Sequence, residues 1–173
     1  MNVFSKMRII VSGLLFEFFV SLPDELSKFR VMYYNKIGCV IHKNVAISPN
    51  VRIRGRFEIG EGSSIAQNCS ISGECVGVFV GKNVMIAPNV VIVTFNHGFE
   101  SLEIDMAKQI NTVATVIIED NVWIGANCSI AKGVKIGTGA IIGANSFVNK
   151  DVMPYSIMGG VPAKLIRNRK IND

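Results

Sequence analysis

The chain has 173 residues, of which 49% are hydrophobic and 18% are charged, and its formal net charge is +5. This composition excludes a disordered polar chain, and the length suits one domain because no linker rich in Ser, Gly or Pro divides it. Four cysteines without C-x-x-C spacing exclude a small disulfide-built domain and favour a reduced, cytoplasmic setting. The basic residues concentrate near the two ends, and we expect no nucleic-acid partner.

Residues 1–36 are predicted to form an N-terminal helical segment. Its apolar stretch, residues 9–20, follows Lys6 and Arg8 and therefore looks at first like a signal peptide. However, Glu17 interrupts the stretch, no cleavage site of small residues follows, and the stretch is too short to span a bilayer as a helix. The pattern therefore favours a cytoplasmic protein.

Pro23 and the two acidic residues after it predict a second helix that runs to about Tyr34. Two interpretations of residues 1–34 stay open. In one, the segment rests on the inner surface of a membrane as a peripheral contact. In the other, it packs on an oligomer of the chain or over the open end of the repeat domain that follows, where unpaired strand edges need a cover.

A six-residue period organises residues 37–153. One aliphatic residue recurs every six positions in three runs, namely Ile41, Ile47, Ile53, Ile59, Ile65 and Ile71, then Val80, Ile86 and Ile92, then Ile118, Ile124, Ile130, Ile136, Ile142 and Val148. Since six matches neither the period of a helix nor that of a strand, the chain must turn a corner once per hexad. Three hexads close a triangular coil, so the fifteen hexads predict an all-β solenoid of about five coils.

Two insertions interrupt this period. The step from Ile71 to Val80 is nine residues, and the step from Ile92 to Ile118 is 26 residues, where six are due. The longer insertion is an excursion loop of about residues 93–117 that contains the sequence TFNHGFES. Because insertions in a solenoid tend to gather on one face and form its functional surface, we expect the site at this loop.

The hexads, the histidine-bearing excursion, DNVWIGANCSI at 120–130 and GGVPAKLIR at 159–167 together resemble the hexapeptide-repeat acyltransferase superfamily. Within it, the chain looks most like the galactoside and maltose O-acetyltransferases and the O-acetyltransferases of polysaccharide biosynthesis. The resemblance covers roughly residues 37–168. It implies a left-handed parallel β-helix, a homotrimer with active sites between neighbouring subunits, and acetyl-CoA as the acyl donor.

Acyl transfer from a thioester to an alcohol needs a base, because a protonated hydroxyl is a poor nucleophile. His97 lies where the family carries its catalytic histidine, so the resemblance implies that it is this base. Its second ring nitrogen needs a partner that fixes the tautomer. Glu100, Glu74 and a backbone carbonyl are the candidates, and both carboxylates are also candidate contacts for the acceptor.

The family resemblance also implies a coenzyme A site. Ala126 and Ala144 lie eighteen residues apart and hence stack, and with Asn149 and Lys150 they would line the pantetheine arm. The residues that match the family's cationic positions near the adenine and the phosphates are Lys164 and Arg167. The open alternative is that both belong to a solvated C-terminal basic segment, residues 154–173.

Residues of four further types can be interpreted from their positions. Asn68 matches an acceptor-pocket asparagine, with a turn residue as the alternative, and Trp123 is predicted to face outward. His42 is expected to point outward on a terminal coil, and two histidines do not supply the three-histidine zinc site of related carbonic anhydrases, so we predict no metal. The cysteines Cys69, Cys75 and Cys128 follow an aliphatic position by four residues and are predicted to be buried, which favours direct transfer over an acyl-cysteine.

These observations predict an acetyl-CoA-dependent O-acetyltransferase that acts on a hydroxyl of a sugar or polysaccharide precursor by direct, histidine-assisted transfer. Two alternatives stay open. The first is an N-acetyltransferase of an amino sugar or nucleotide-amino sugar, and the second is a non-catalytic hexapeptide scaffold. The sequence names neither the acceptor nor the length of the acyl chain.

Overall fold

The structure, a computed structural model, describes residues 3–169, and residues 1–2 and 170–173 of the predicted terminal segments lie outside this range. Helix α1 spans Val3–Ser21 and helix α2 spans Ser27–Lys36, and a short 3-10 helix at Asp24–Leu26 joins them. Within the described range, neither helix has the length and apolarity that crossing a bilayer requires. A parallel β-solenoid follows these helices.

The solenoid has three faces made of short strands. The first face carries β2 (Ala46–Ile47), β4 (Ser64–Ile65), β6 (Met85–Ile86), β11 (Trp123–Ile124), β14 (Ile141–Ile142) and β16 (Ser156–Gly159). The second face carries the start of β3 (Arg52–Ile59), the start of β5 (Ser70–Val80), β7 (Val91–Val93), β12 (Ser129–Ile130) and β15 (Phe147–Val148). The third face carries β1 (Val40–Ile41), the ends of β3 and β5, β10 (Val116–Ile118) and β13 (Lys135–Ile136).

The register of these strands confirms the prediction from the hexads. Each inward aliphatic residue pairs with the equivalent residue of the next coil, as Ile41 does with Ile59 and Ile124 does with Ile142. All fifteen residues of the period are buried. Burial of one such side chain contributes about 1.5–3 kcal/mol, so the stacked aliphatic rows are a major source of the stabilisation of the coil.

The coils continue past the predicted end of the repeat at residue 153. A parallel bridge joins Ile136 to Val152, and β16 pairs with β14, so a sixth coil begins after five complete ones. Strand β17 (Lys164–Asn168) then returns antiparallel to β16. Within residues 154–169, the predicted C-terminal basic segment therefore forms a hairpin at the edge of the first face, not a free tail.

Asparagine residues make many of the corners. Eight of them have a positive φ between 55° and 62°, namely Asn44, Asn50, Asn68, Asn83, Asn89, Asn121, Asn127 and Asn145. Asparagine tolerates this left-handed conformation better than other residues with a Cβ atom. The side chains also bond between coils, because Asn89 donates to Asn127 at 3.0 Å and Asn127 donates to Asn145 at 3.1 Å.

Helix α2 covers the open N-terminal end of the solenoid. The fully buried guanidinium of Arg30 donates to the carbonyl oxygen of Ile47 at 2.8 Å and also to that of Leu22. The buried Tyr34 hydroxyl donates to the carbonyl oxygen of Val51 at 2.5 Å. These bonds satisfy carbonyl groups near the first coil, which has no preceding coil to pair with. The covering interpretation of the N-terminal segment therefore holds for α2.

We predict that Arg30→Ala lowers the free energy of unfolding by about 3 kcal/mol, because it leaves buried carbonyl groups without donors and opens a cavity. Thermal and urea unfolding followed by circular dichroism would measure the change. Lys28→Ala, on the exposed side of the same helix, is the matched control and should change stability by less than about 0.5 kcal/mol. Equal stability of the two variants would contradict the role of Arg30.

Candidate active site

Both insertions leave the solenoid at one corner. The shorter one lies within β5 and the longer one lies between β7 and β10, so each separates the second face from the third. We call this the excursion corner. The corner between the first and second faces carries Ala126 and Ala144, and we call it the alanine corner. The two corners border the second face, and every candidate site residue on the coils lies on one of them.

A short hairpin positions His97 at the excursion corner. Strands β8 (Phe95–Asn96) and β9 (Thr112–Val113) pair antiparallel at the root of the excursion. The buried Thr94 anchors this root, since its hydroxyl donates to the carbonyl oxygen of Ser72 at 2.9 Å and its own carbonyl accepts from Ala114 N–H at 2.8 Å. His97 is the first residue after β8. It is therefore held just outside the coil and is exposed to solvent.

The imidazole of His97 has a partner that sequence reasoning missed. Its Nδ1 lies 3.0 Å from Oδ1 of Asn111, the residue just before β9. The ring of Phe95 meets the imidazole edge-on, with a centroid distance of 5.7 Å. Neither Glu100 nor Glu74 makes the contact with Nδ1 that we considered for them, and the partner is not a backbone carbonyl. Hairpin pairing brings Asn111 to His97, and the hexad period contains no signal of that pairing.

The distal part of the excursion is ordered by one amide. The side chain of Gln109 donates to the carbonyl oxygens of Ser101 at 2.9 Å and Ile104 at 2.7 Å, and it accepts from Ser101 N–H at 3.0 Å. Large apolar side chains nevertheless remain exposed around it, namely Phe99, Leu102, Ile104, Met106 and Ile110. Leu102 and Ile110 are almost fully exposed. A single chain therefore leaves an apolar surface next to the candidate base.

The alanine corner carries small residues on successive coils, with Ala126 half-buried and Ala144 exposed. Ala126 and Ala144 lie on successive coils, and the carbonyl oxygen of Ala126 accepts from Asn145 N–H at 2.9 Å. A Cβ atom on Gly125 would lie 2.6 Å from the backbone nitrogen of Ala144, so only glycine permits this close approach of the coils. Small side chains along this corner leave room for a narrow, extended ligand.

The remaining candidates for coenzyme A lie in two places. Asn149 and Lys150 are exposed on the excursion corner, directly after β15. Lys164 and Arg167 are exposed on β17, where they pair with Gly159 and Ile157 of β16. The structure thus brings Lys164 to the end of the alanine corner, places Arg167 on the first face beside Ile157, and leaves Asn149 and Lys150 across the second face. Arg169 lines the same hollow as Arg167 and donates to the carbonyl oxygen of Gly139 at 2.8 Å.

The candidate acceptor contacts are also distributed. Asn68 lies on the alanine corner with φ 62°, which is the turn conformation that we gave as its alternative role. Glu74 is exposed on the excursion corner, within the shorter insertion, and Glu100 is exposed on the excursion itself. The shorter insertion touches the root of the excursion, because the Thr115 hydroxyl donates to the carbonyl oxygen of Val76 at 3.2 Å. Both carboxylates therefore lie on the His97 side of the second face.

Trp123 faces outward as predicted, on the first face between Met85 and Ile141. His42 also faces outward, with its Nε2 atom 3.4 Å from Oε1 of Glu58. Among residues 3–169, no cluster of three or more His, Cys, Asp or Glu side chains could hold a metal ion.

Three of the four cysteines are poorly placed for covalent catalysis because they are buried. Burial raises the pKa of the Cys39 and Cys69 thiols to about 11 and also raises the pKa of Cys128. The prediction that Cys75 is buried is wrong, since this thiol is exposed. Strand β5 continues through the excursion corner and contains the extra residues of the shorter insertion. Counting by six from Cys69 therefore gives the wrong orientation for Cys75. Burial of Cys69 and Cys128 agrees with the prediction.

Comparisons with known proteins agree with this geometry. The family model described as bacterial transferase hexapeptide (six repeats) matches residues 38–73 and 115–150. The galactoside O-acetyltransferase of Escherichia coli K12 is 32% identical over 162 residues, which cover 92% of this chain and 77% of that protein.

Two solved structures are similar to this chain. A hexapeptide-repeat acetyltransferase from Vibrio cholerae, complexed with acetyl coenzyme A, matches with a TM-score of 0.79 and 28% sequence identity. The match covers 92% of this chain and 85% of the Vibrio cholerae chain. A mutant of AntD, an N-acyltransferase from Bacillus cereus in complex with dTDP and coenzyme A, matches with a TM-score of 0.67 and 26% sequence identity. The match covers 80% of this chain and 89% of the AntD chain.

The solenoid and its matches define a transferase built on hexapeptide repeats. The chain belongs to the hexapeptide-repeat acetyltransferase family, and it is an acyltransferase. The interpretation as a non-catalytic scaffold is therefore set aside.

We predict that, at about pH 8, a thiol reagent such as DTNB modifies Cys75 rapidly in the folded protein and reaches the other three cysteines only after unfolding, because burial keeps them protonated. The absorbance of the thiolate that DTNB releases gives the number of modified thiols. Cys75→Ser should remove the fast phase and leave acyl transfer unchanged. Rapid modification of more than one thiol per folded chain would contradict the burial described for Cys39, Cys69 and Cys128.

Proposed function

We propose that the protein transfers an acetyl group from acetyl-CoA to a hydroxyl of a sugar or polysaccharide precursor, with His97 as the general base. The observation that carries the proposal is the His97 imidazole, which is fixed by Asn111 at the one corner where both insertions leave the coil. The family of the chain and the acetyl coenzyme A complex of its Vibrio cholerae neighbour support the donor.

The reaction follows from the groups at this corner. The free ring nitrogen of His97 takes the proton of the acceptor hydroxyl while its oxygen attacks the thioester carbonyl carbon. The C–O bond forms and the carbonyl oxygen becomes an oxyanion. The oxyanion then collapses, the C–S bond breaks, and the departing thiolate takes the proton back from the imidazolium. No covalent enzyme intermediate is needed, which fits the buried, protonated thiols of Cys69 and Cys128.

We assign the coenzyme A site to the alanine corner and the C-terminal hairpin. Ala126 and Ala144 would leave backbone groups open to the pantetheine arm, and Asn149 and Lys150 would contact it from the excursion corner of a neighbouring subunit. Lys164 and Arg167 would face the adenine and the phosphates, where an ammonium acts as a point charge and a guanidinium as a fork. Arg169 shares the hollow of Arg167 and adds positive charge there.

We propose a homotrimer whose active sites lie between subunits. In one chain, the alanine corner and the excursion corner are separated by a whole face, and six residues of extended chain span up to about 20 Å. His97 therefore needs the alanine corner of another copy if the pantetheine arm is to reach it. The exposed apolar side chains of the excursion, such as Leu102 and Ile110, support a neighbouring subunit at this position.

The acceptor would bind beside the excursion. Glu74 and Glu100 lie on the His97 side of the second face and would accept hydrogen bonds from sugar hydroxyls. Asn68 lies on the alanine corner, so in the trimer it would approach the His97 of another subunit. This distribution supports an acceptor rich in hydroxyl groups.

A second candidate is N-acetylation of an amino sugar or nucleotide-amino sugar. The similarity to AntD, an N-acyltransferase solved with dTDP, favours keeping it. An amine acceptor would need the same base to remove its proton. A screen of acetyl-CoA with sugars, amino sugars and nucleotide-sugars, read by thiol release, separates the two candidates by the acceptor that turns over.

We predict that His97→Ala lowers kcat with the best acceptor of this screen by about 100-fold or more, because the hydroxyl is then not deprotonated during attack. The KM for acetyl-CoA should stay unchanged. His42→Ala, which removes the other histidine from a terminal coil, is the matched control and should retain full activity. A near-wild-type rate for His97→Ala would reject the proposed base.

We also propose that the protein is cytoplasmic and contacts the inner membrane surface peripherally through residues 1–34. One side of α1 packs on the protein, since Phe19 stacks on Tyr33 at 4.8 Å and Glu17 forms a two-pronged ion pair with Arg52 at 2.8 Å. The opposite side carries exposed apolar residues at helical spacing, namely Met7, Ile10, Val11, Leu14 and Phe18. Such an apolar stripe, on a chain with a formal net charge of +5, suits the surface of an anionic bilayer.

We predict that the protein pellets with vesicles containing phosphatidylglycerol and that Leu14→Glu with Phe18→Glu abolishes pelleting, because charges on the stripe oppose insertion. Point variants are preferable to a truncation, which would also remove the cap made by Arg30. Met153→Glu, an exposed apolar residue at the other end of the solenoid, is the control and should still pellet. An unchanged soluble fraction of the wild-type protein would reject the membrane contact, and loss of the oligomer in the double variant would reassign the stripe to a subunit interface.

A further inference from the structure

We propose that Asn111 is a positioning residue that fixes the tautomer of His97 without adding charge beside it, an inference that rests on the proposed function. The contact joins Nδ1 of His97 to Oδ1 of Asn111 at 3.0 Å. An amide oxygen only accepts hydrogen bonds, so Nδ1 carries the ring hydrogen in the neutral form. Nε2 is then left with a lone pair and is the nitrogen that can take the proton of the acceptor.

The backbone of the excursion builds this contact. In the β8–β9 hairpin, Phe95 pairs with Val113 and Asn96 pairs with Thr112, so residues 97 and 111 come next in the same register. Gly98 allows the two segments of the excursion that continue from β8 and β9 to stay close together beyond these pairs. A Cβ atom at Gly98 would lie 2.6 Å from both the Cβ atom of Gln109 and the carbonyl oxygen of Ile110. The hairpin thus holds the amide against the imidazole through its main chain.

The choice of an amide has a chemical consequence. A carboxylate at the same place would also fix the tautomer, but its charge would stabilise the imidazolium and keep the base protonated to higher pH. An amide orients the ring without adding this charge. The carboxylates that lie nearest in sequence or at the same corner, Glu100 and Glu74, do not contact this nitrogen. The residue that orients the imidazole therefore adds no charge next to it.

The test uses the fact that the chain has only two histidines. In a His42→Gln background, long-range ¹⁵N–¹H spectra of the full-length protein report the ring of His97 alone. We expect the Nδ1–H tautomer in this background and the Nε2–H tautomer, or a mixture, in Asn111→Leu. In Asn111→Asp we expect the Nδ1–H tautomer with a titration midpoint about one pH unit higher.

Kinetics add a second readout with the best acceptor of the thiol-release screen. Asn111→Leu should lower kcat by about 10-fold to 100-fold with the KM for acetyl-CoA unchanged. Asn111→Asp should recover most of the rate at alkaline pH and lose it at a higher pH than the wild-type protein does. Asn96→Leu, the exposed neighbour on β8, is the control and should change neither the spectra nor the rate.

The outcomes separate this inference from the proposed function. An unchanged tautomer in Asn111→Leu, or an unmoved midpoint in Asn111→Asp, would overturn the role of Asn111 even if His97→Ala is inactive. Full activity of His97→Ala would instead reject the base itself, whatever the spectra show. A loss of kcat in Asn111→Leu that comes with a raised KM for acetyl-CoA and an unchanged tautomer would show a merely structural role.

Discussion

The parallel pairing of each coil with the coils before and after it is the constraint on which the rest of the molecule depends. Inward residues stay paired whether the step between them is 18 residues, as from Ile53 to Ile71, or 38 residues, as from Ile92 to Ile130. Extra residues can enter only where no inward pair is lost, and both insertions do so at one corner. The rigid faces therefore cannot carry an insertion, and the proposed site lies at the corners that border the second face.

This constraint explains what the sequence could predict. Every coil must place an aliphatic residue at the same inward position, so a contact between coils appears in the sequence as a local period of six. The excursion that carries His97 can then be recognised as the segment that does not follow the six-residue period. Stacking of Ala126 over Ala144 follows in the same way from a separation of eighteen residues.

Other features could not be predicted because their partners are set by something other than the period. Asn111 meets His97 through a hairpin with its own register. Cys75 escapes the core because the shorter insertion shifts the count. Arg30 looks like a solvated residue on a short polar helix, but it is buried because carbonyl groups at the solenoid's open end need donors, a demand that arises only after both elements are placed.

The exposed excursion links the proposed assembly to the proposed chemistry. His97 is attached to the solenoid only through the root of its hairpin, while proton transfer needs an imidazole held within hydrogen-bond distance of its substrate. Asn111 and Phe95 contact the ring, but within residues 3–169 of one chain nothing covers the apolar side chains around Leu102 and Ile110. In the proposed trimer, a neighbouring subunit would bury these side chains and bring its own alanine corner to His97. One contact would then both order the hairpin relative to the solenoid and complete the donor site, so the base would be positioned only where a thioester can reach it.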